Sequence, residues 1–330
     1  IDLPALTART GNLDVNYKPI NCEVFLDGTR LGVSPDMFKN IIIGKHKIKI
    51  SKAGYTTTEV TIDISEGQTA TLTGSLEKVV VQNYPNQGGS NASLVSNSSN
   101  KTFTVKGVTF TMVAVEGGTF MMGATSEQGG DAYDDEKPVH QVTLSSYYIG
   151  QTEVTQALWE AVMGKNPSYF KGDNKPVEDV SWADCQDFVI KLNQLTGKRF
   201  RLPTEAEWEY ACRGGKKSRG YKYSGSNTID DVAWYTSNSK RKTHPVATKS
   251  LNELGIYDMS GNVYEWCQDW YGSYSSAAQT NPTGASSGSY RVYRGGSWIY
   301  YAKYCRSSFR NCITPDSRSG NLGLRLALSE

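Results

Sequence analysis

No run of apolar residues in this chain approaches the roughly 20 that a membrane-spanning helix needs, so no transmembrane segment is predicted. The six cysteines (Cys22, Cys185, Cys212, Cys267, Cys305 and Cys312) include no Cys-x-x-Cys pair, which argues against a structural zinc site. The three histidines (His46, His140 and His244) lie far apart, and nothing in their spacing favours a histidine triad or a His-rich metal site. Charge of neither sign is in excess: 35 Lys and Arg stand against 33 Asp and Glu. The basic residues are scattered, so a nucleic-acid footprint is missing. A nucleophile elbow and a phosphate-cradling loop are missing too. The chain also opens at Ile1 without an initiator methionine or a signal-like segment. That reads as a trimmed mature form, with any export signal or lipid anchor upstream.

What the sequence has in quantity is 20 Tyr, 7 Trp and 32 Gly among 330 residues. Tyr and Trp supply rigid, amphipathic contact area, either in a core or on a recognition surface. Abundant glycine means many turns. Residues 1–10 read as an N-terminal extension. Over residues 11–78, short runs alternate apolar and polar side chains, as in Cys22-Glu-Val-Phe-Leu and Lys45-His-Lys-Ile-Lys-Ile. Bounded by Asp27-Gly28, Gly44 and Gly54, they predict half-buried strands joined by tight turns, a small antiparallel β-sandwich. Residues 79–104 contain an Asn/Ser/Gly-rich stretch too poor in apolar surface to offset chain entropy, hence a flexible linker.

From 105 to 330 the pattern changes. Two strands flank Gly117-Gly118. Ser181 caps a helix that puts Trp182, Cys185, Phe188, Val189 and Leu192 on one face. Thr204-Glu-Ala-Glu207 is a capping box opening a second helix, which stops at Gly214-Gly215. Cys185 and Cys212, on apolar helix faces, read as buried thiols. After Gly215 there is little periodicity, and so long an irregular segment must be tied down by something other than a regular ladder. The fold class expected is α+β and loop-rich.

Several strings are specific. Val24-Phe-Leu-Asp-Gly-Thr-Arg-Leu-Gly-Val-Ser-Pro35 with Lys52-Ala-Gly-Tyr55 resembles a PEGA module, a spacer or adhesive unit of microbial envelope proteins. Gly117-Gly-Thr-Phe-Met-Met-Gly123, Arg201-Leu-Pro-Thr-Glu-Ala-Glu-Trp208, Gly255-Ile-Tyr-Asp-Met-Ser-Gly-Asn-Val-Tyr-Glu-Trp266, Arg294-Gly-Gly-Ser-Trp298 and Asn321-Leu-Gly-Leu-Arg325 follow one another in the order of the formylglycine-generating-enzyme (sulfatase-modifying-factor) family. The resemblance implies a C-type-lectin-like fold. It also implies two cysteines that hold copper(I), for which soft thiolates are suited. The first of those positions is Tyr300 and the second Cys305. A formylglycine-generating copper oxidase would need Cys305 together with a substitute such as Cys312 or Cys267. A Cys267–Cys305 disulfide is the alternative state, favoured by an oxidising compartment.

The loop Gly261-Asn-Val-Tyr-Glu265 resembles the family's calcium loop. Asn262 and Glu265 would supply side-chain oxygens, and Gly261 and Val263 carbonyls; loop-tying hydrogen bonds are the other reading. The acidic run Asp131-Ala-Tyr-Asp-Asp-Glu136 reads as a solvated loop. Asp258, Glu265 and Asp269 take structural roles by the same resemblance, leaving no carboxylate pair for hydrolysis.

Between the Arg294 and Asn321 blocks lie Ile299, Tyr300, Tyr301, Tyr304, Phe309, Cys312, Ile313, Ser317, Ser319 and Gly320. Each is reachable from the Asn codon AAC by changing only its two adenines. That pattern resembles proteins diversified by a mutagenic reverse transcriptase, whose variable segment ends a lectin-like domain; ordinary drift is the competing explanation. A Tyr/Ser/Gly-rich surface suits adaptable binding. The expectation is a non-catalytic binder on a bacterial envelope, taking a protein or glycan ligand through residues 298–320. Trp266, Trp298, Ile299, Tyr300, Tyr301, Tyr304, Phe309, Ile313, Ser317 and Ser319 would form its surface, with Arg306 and Arg310 as polar anchors.

Overall fold

The computed structural model describes residues 9–20, 22–52, 55, 58–76 and 100–329. The expected linker falls almost wholly outside them, as does most of the expected N-terminal extension. Two compact units divide the chain, residues 1–93 and 94–330.

The first unit comprises β1 (Thr10–Lys18), β2 (Cys22–Leu26), β3 (Thr29–Ser34), β4 (Asp36–Ile42), β5 (Gly44–Ser51), β6 (Thr58–Ile64) and β7 (Thr69–Ser75). They form two sheets, in the orders β4-β1-β7 and β3-β2-β5-β6. Alternation along β1 turns Leu13, Val15 and Tyr17 inward, against Val24, Ile48, Ile50 and Ile64 of the other sheet. The pairing departs from the expected antiparallel sandwich at one place, because β1 and β7 run parallel. His46 bridges within this unit, its Nδ1 2.7 Å from Asp27 Oδ2 and its Nε2 2.7 Å from the Ile42 carbonyl.

The second unit begins with β8 (Lys101–Val105), β9 (Val108–Val115), β10 (Gly118–Met122), β11 (His140–Leu144) and β12 (Tyr147–Gly150). Helices α1 (Gln156–Met163), α2 (Trp182–Thr196) and α3 (Glu205–Cys212) follow, with β13 (Phe200–Arg201) between the last two. Both expected caps form: Ser181 with Asp184, and Thr204 with Glu207, each make a reciprocal capping box. Thr155 caps α1 with a single bond, its hydroxyl accepting the Leu158 N–H, and Gly164 ends the helix at φ 78°. The ring of Trp159 on α1 stacks on Phe188 of α2 at 4.8 Å.

The remaining strands are short: β14 (Ala233–Trp234), β15 (Ser260–Gly261), β16 (Tyr264–Trp270), β17 (Gln279–Thr280), β18 (Arg291–Arg294), β19 (Arg310–Ile313), β20 (Leu322–Leu324) and β21 (Ala327–Ser329). The sheet β13-β21-β12-β9-β8 takes β21 between β13 and β12, and a second sheet runs β19-β18-β16-β20. Gly261 lets β15 run hard against β14; a Cβ there would lie 2.4 Å from the Trp234 carbonyl oxygen.

Buried ion pairs hold the irregular half in place. Arg325 meets Glu265 at 2.7 Å, Arg310 meets Glu205 at 2.7 Å, and Arg306 meets Glu136 at 2.5 Å; Arg294 pairs with Glu209. Each side chain is at most 4% exposed. A guanidinium withdrawn from water must be paired and hydrogen-bonded, so each pair fixes one segment to another. These are the ties that the unpatterned sequence after Gly215 requires.

Candidate functional site

The segment from Trp298 to Gly320 runs between β18 and β20 and is pinned at several points. Trp298 donates its backbone N–H to the Asn262 carbonyl and its indole N–H to the Gly320 carbonyl, both at 2.8 Å. Ser239 Oγ donates to the Trp298 carbonyl at 2.7 Å. The Thr236 N–H reaches the Tyr300 carbonyl at 3.0 Å. Backbone position is therefore set from outside the segment, and the outward side chains carry little of that load.

On this frame Ile299, Tyr300 and Tyr301 are 45%, 40% and 66% exposed. The Tyr300 ring packs at 5.4 Å from Tyr264 and 5.3 Å from Tyr304. Tyr304 lies edge-on to Phe309 at 5.1 Å, and Tyr133 stacks on Tyr304 at 6.3 Å. Lys303 bonds the Tyr133 phenol and holds it below its usual pKa, while the bond to Tyr133 raises that of Tyr304. On the other side of Trp298, the Phe170 ring sits at 5.2 Å, and Tyr169 beside it is 76% exposed. The result is an aromatic surface drawn from three parts of the chain.

Several expected members are elsewhere. Trp266 is fully buried, its indole bonded to the Val180 carbonyl at 3.0 Å, and Phe309 is 3% exposed; both are core residues. Arg306 and Arg310 are not ligand anchors, because their guanidinium groups are consumed by Glu136 and Glu205. For the same reason the run 131–136 is not wholly solvated: Glu136 is at 0% exposure. Ile313 is half-buried against the main core, and Ser317 and Ser319 spend their hydroxyls on Thr314 and Asn321. Tyr133, Tyr169 and Phe170 were missed. The available signal was an aromatic pair in the polar loop Asn166-Pro-Ser-Tyr-Phe-Lys, and a tyrosine among aspartates.

The Cys267–Cys305 disulfide is absent. Both are free, fully buried thiols in separate clusters, Cys267 beside Trp208 and Ala206, Cys305 beside Tyr223 and Tyr235. Burial pushes the Cys305 thiol up to about 12. Gly296 closes over it, for a Cβ there would stand 2.5 Å from the sulfur. With a tyrosine, Tyr300, at the other family position and Gly296 packed over the Cys305 sulfur, the residues present do not supply a two-thiolate copper(I) site.

The calcium loop is likewise committed internally. Asn262 Oδ1 accepts the His244 N–H at 3.0 Å, and its amide donates to Glu153 Oε2 at 2.7 Å. Glu265 accepts from Arg325 and from the Trp208 indole. The Gly261 N–H donates to the Gly295 carbonyl and the Val263 N–H to Glu153 Oε1. With a guanidinium already on Glu265 and the Asn262 amide shared between His244 and Glu153, the side chains of this loop serve the loop-tying reading. Among the described residues, no group of three or more His, Cys, Asp and Glu is assembled to hold a metal.

One orphan lies under the aromatic surface. Glu178 is buried, its Oε1 accepts the Phe170 N–H at 2.7 Å, and its Oε2 has no hydrogen-bond partner of good geometry among the described residues. Burial raises its pKa. A Cβ on Gly320 would lie at an ordinary 3.5 Å from that oxygen. Gly320→Ser is therefore expected to donate a hydrogen bond to Oε2, lower the Glu178 pKa and stabilise the protein by about 1 kcal/mol. The check is a melting temperature about 2–4 °C higher; an unchanged or lower one contradicts the assignment.

The lectin-like fold with a C-terminal surface segment defines the class. Residues 98–330 match the sulfatase-modifying factor enzyme 1-like domain and residues 10–80 the PEGA domain, and the chain belongs to the sulfatase-modifying factor family. It is 35% identical over 269 residues to the chaperone protein LppX of Paenibacillus barcinonensis, covering 66% of this chain and 89% of that one. It is 32% identical over 284 residues to the formylglycine-generating enzyme of Streptomyces coelicolor, covering 65% and 88%. Among solved structures, Treponema denticola variable protein 1 aligns with a TM-score of 0.63 and 38% identity, over 71% of this chain and 100% of that one.

Proposed function

We propose that this protein is a non-catalytic ligand-binding member of its family, exported to a bacterial envelope, with the PEGA module as spacer. The observation that carries the reading is the aromatic surface of exposed Tyr169, Tyr300 and Tyr301 with half-buried Trp298 and Tyr304, on a backbone held by bonds to Asn262, Ser239 and Thr236. Tyrosines standing out from the surface suit apposition to a protein ligand, giving large contact area at low entropic cost. Likeness to a variable protein supports the view that residues 298–320 are diversified. The half of the surface supplied by Tyr133, Tyr169 and Phe170 would then be constant.

Two tests apply. A peptide carrying the sulfatase Cys-x-Pro-x-Arg motif, incubated aerobically with copper(I) and the full chain, is expected to keep its cysteine by mass spectrometry while an active family enzyme converts it. Conversion would restore the oxidase reading, with Cys305 and a second thiol. Sequencing the locus is expected to reveal a near-copy of the 3′ coding end differing at adenines beside a reverse transcriptase gene; without one, the surface is fixed and not diversified.

A further inference from the structure

A second site lies away from the aromatic surface, where the start of α3, the end of β16 and the loop after it enclose a cavity of about 230 Å³. Asp269 and His140 line it, at 3% and 2% exposure. Asp269 Oδ2 accepts the Glu205 N–H at 2.9 Å, as a cap on the first turn of α3. Its Oδ1 receives no hydrogen bond from the described residues. Gly284 keeps that oxygen uncovered, since a Cβ at this position would come within 3.0 Å of it and 2.6 Å of the Asp269 Cβ.

His140 presents a matching atom. Its Nδ1 lies 3.1 Å from the Pro138 carbonyl, which can only accept, so Nδ1 carries a proton, and in the tautomer with that single ring proton Nε2 is an acceptor. Nε2 has no partner among the described residues either. The other charged groups are already matched: Glu205 is held by Arg310 and by the Tyr274 hydroxyl at 3.0 Å. With Asp269 ionised, the cavity therefore offers two acceptors without a partner among the described residues, the carboxylate Oδ1 and the imidazole Nε2.

We propose that this cavity binds a small primary ammonium group, such as a free amino terminus or a lysine-like side chain, through Asp269 Oδ1 and His140 Nε2. A primary ammonium brings three donors and one charge, and the charge is what an isolated carboxyl in a buried site lacks. A divalent metal would need more ligands than these two residues supply. Burial, and then the Glu205 carboxylate, push Asp269 up to about 8. The bound cation favours its ionised form, so binding below that pH expels a proton. Glu205 and Glu207 oppose its ionisation and Arg310, Arg291 and Arg201 favour it, while His140, Tyr274 and Cys267 are the other titratable groups around it. With Asp269 ionising, affinity rises between about pH 6 and pH 8.

The test uses the full chain and two probes of equal shape, n-propylammonium chloride and 1-propanol at matched chloride, followed by NMR of the Trp270 indole. The ammonium is expected to saturate the signal and to bind at least about tenfold more tightly than the alcohol, as for a hydrogen bond to a charged group. Asp269→Asn is expected to abolish that preference. Should Asp269→Asn fail to fold, His140→Phe preserves the ring packing against Tyr274 and is expected to weaken ammonium binding severalfold. Equal binding of the two probes, no saturation, or a preference that survives the variants would overturn the proposal.

Discussion

Arg306→Met is expected to destabilise the protein by about 3–5 kcal/mol, because it strips a buried carboxylate of its counter-charge. Arg306 spans 170 residues to grip Glu136 with both nitrogens, at 2.7 and 2.5 Å, and also bonds Ser308 and the Asp131 carbonyl. Burial alone would raise the Glu136 pKa, yet Arg306 and Ser308 outweigh it and hold the carboxyl below its usual value. The sign of the pH dependence follows. In the parent, this pair stabilises above the unfolded pKa of a glutamate and is lost as pH falls through the lower folded value. In the variant, unpaired Glu136 prefers its proton, so the damage is largest at about pH 7.5 and shrinks towards about pH 4.5. Denaturant unfolding at the two pH values reads this directly. Adding Glu136→Leu removes the stranded charge and is expected to recover much of the loss. A variant as stable as the parent at neutral pH would mean that the pair is not what fixes the C-terminal segment.

Trp266→Ala is expected to cost about 3–5 kcal/mol, as for a large aromatic removed from a packed core. Its ring stands edge-on to Tyr293 at 6.3 Å, and its indole proton is spent on Val180. Tyr301→Ala, 66% exposed, is expected to stay within about 0.5 kcal/mol. Thermal melts of the two variants separate structure from surface within one aromatic-rich region. Similar losses for both would make Tyr301 a packing residue and weaken the binding reading.

Much of the fold was legible because its signals are local. Capping boxes at Ser181 and Thr204, the alternation in the first unit and the ordered motif blocks each fit within a dozen residues. Helix α1 carries equally local signals, Thr155 as cap and Gly164 as stop, and the reading passed over it. The site was less legible, because burial after Gly215 is decided by partners far away in sequence. Nothing near Arg310 names Glu205, 105 residues earlier, and nothing near Cys305 shows Gly296 closing over its sulfur. Composition could not separate Trp266 and Phe309, which fill the core, from Tyr300 and Tyr301, which leave it. The codon pattern includes Phe309 for the same reason: it reports what a position can become and not which way it faces.

The claim that surface and scaffold separate within one segment is tested most directly by saturation mutagenesis of single positions in displayed protein, scored by protease resistance. Positions Ile299, Tyr300 and Tyr301 are compared with Trp266, Arg306, Phe309 and Arg310. The expected result is that most substitutions in the first set stay within about 1 kcal/mol of the parent, while most in the second set unfold it. Equal sensitivity of the two sets would contradict the account, since a surface that cannot vary without loss of the fold is not one built to recognise different ligands.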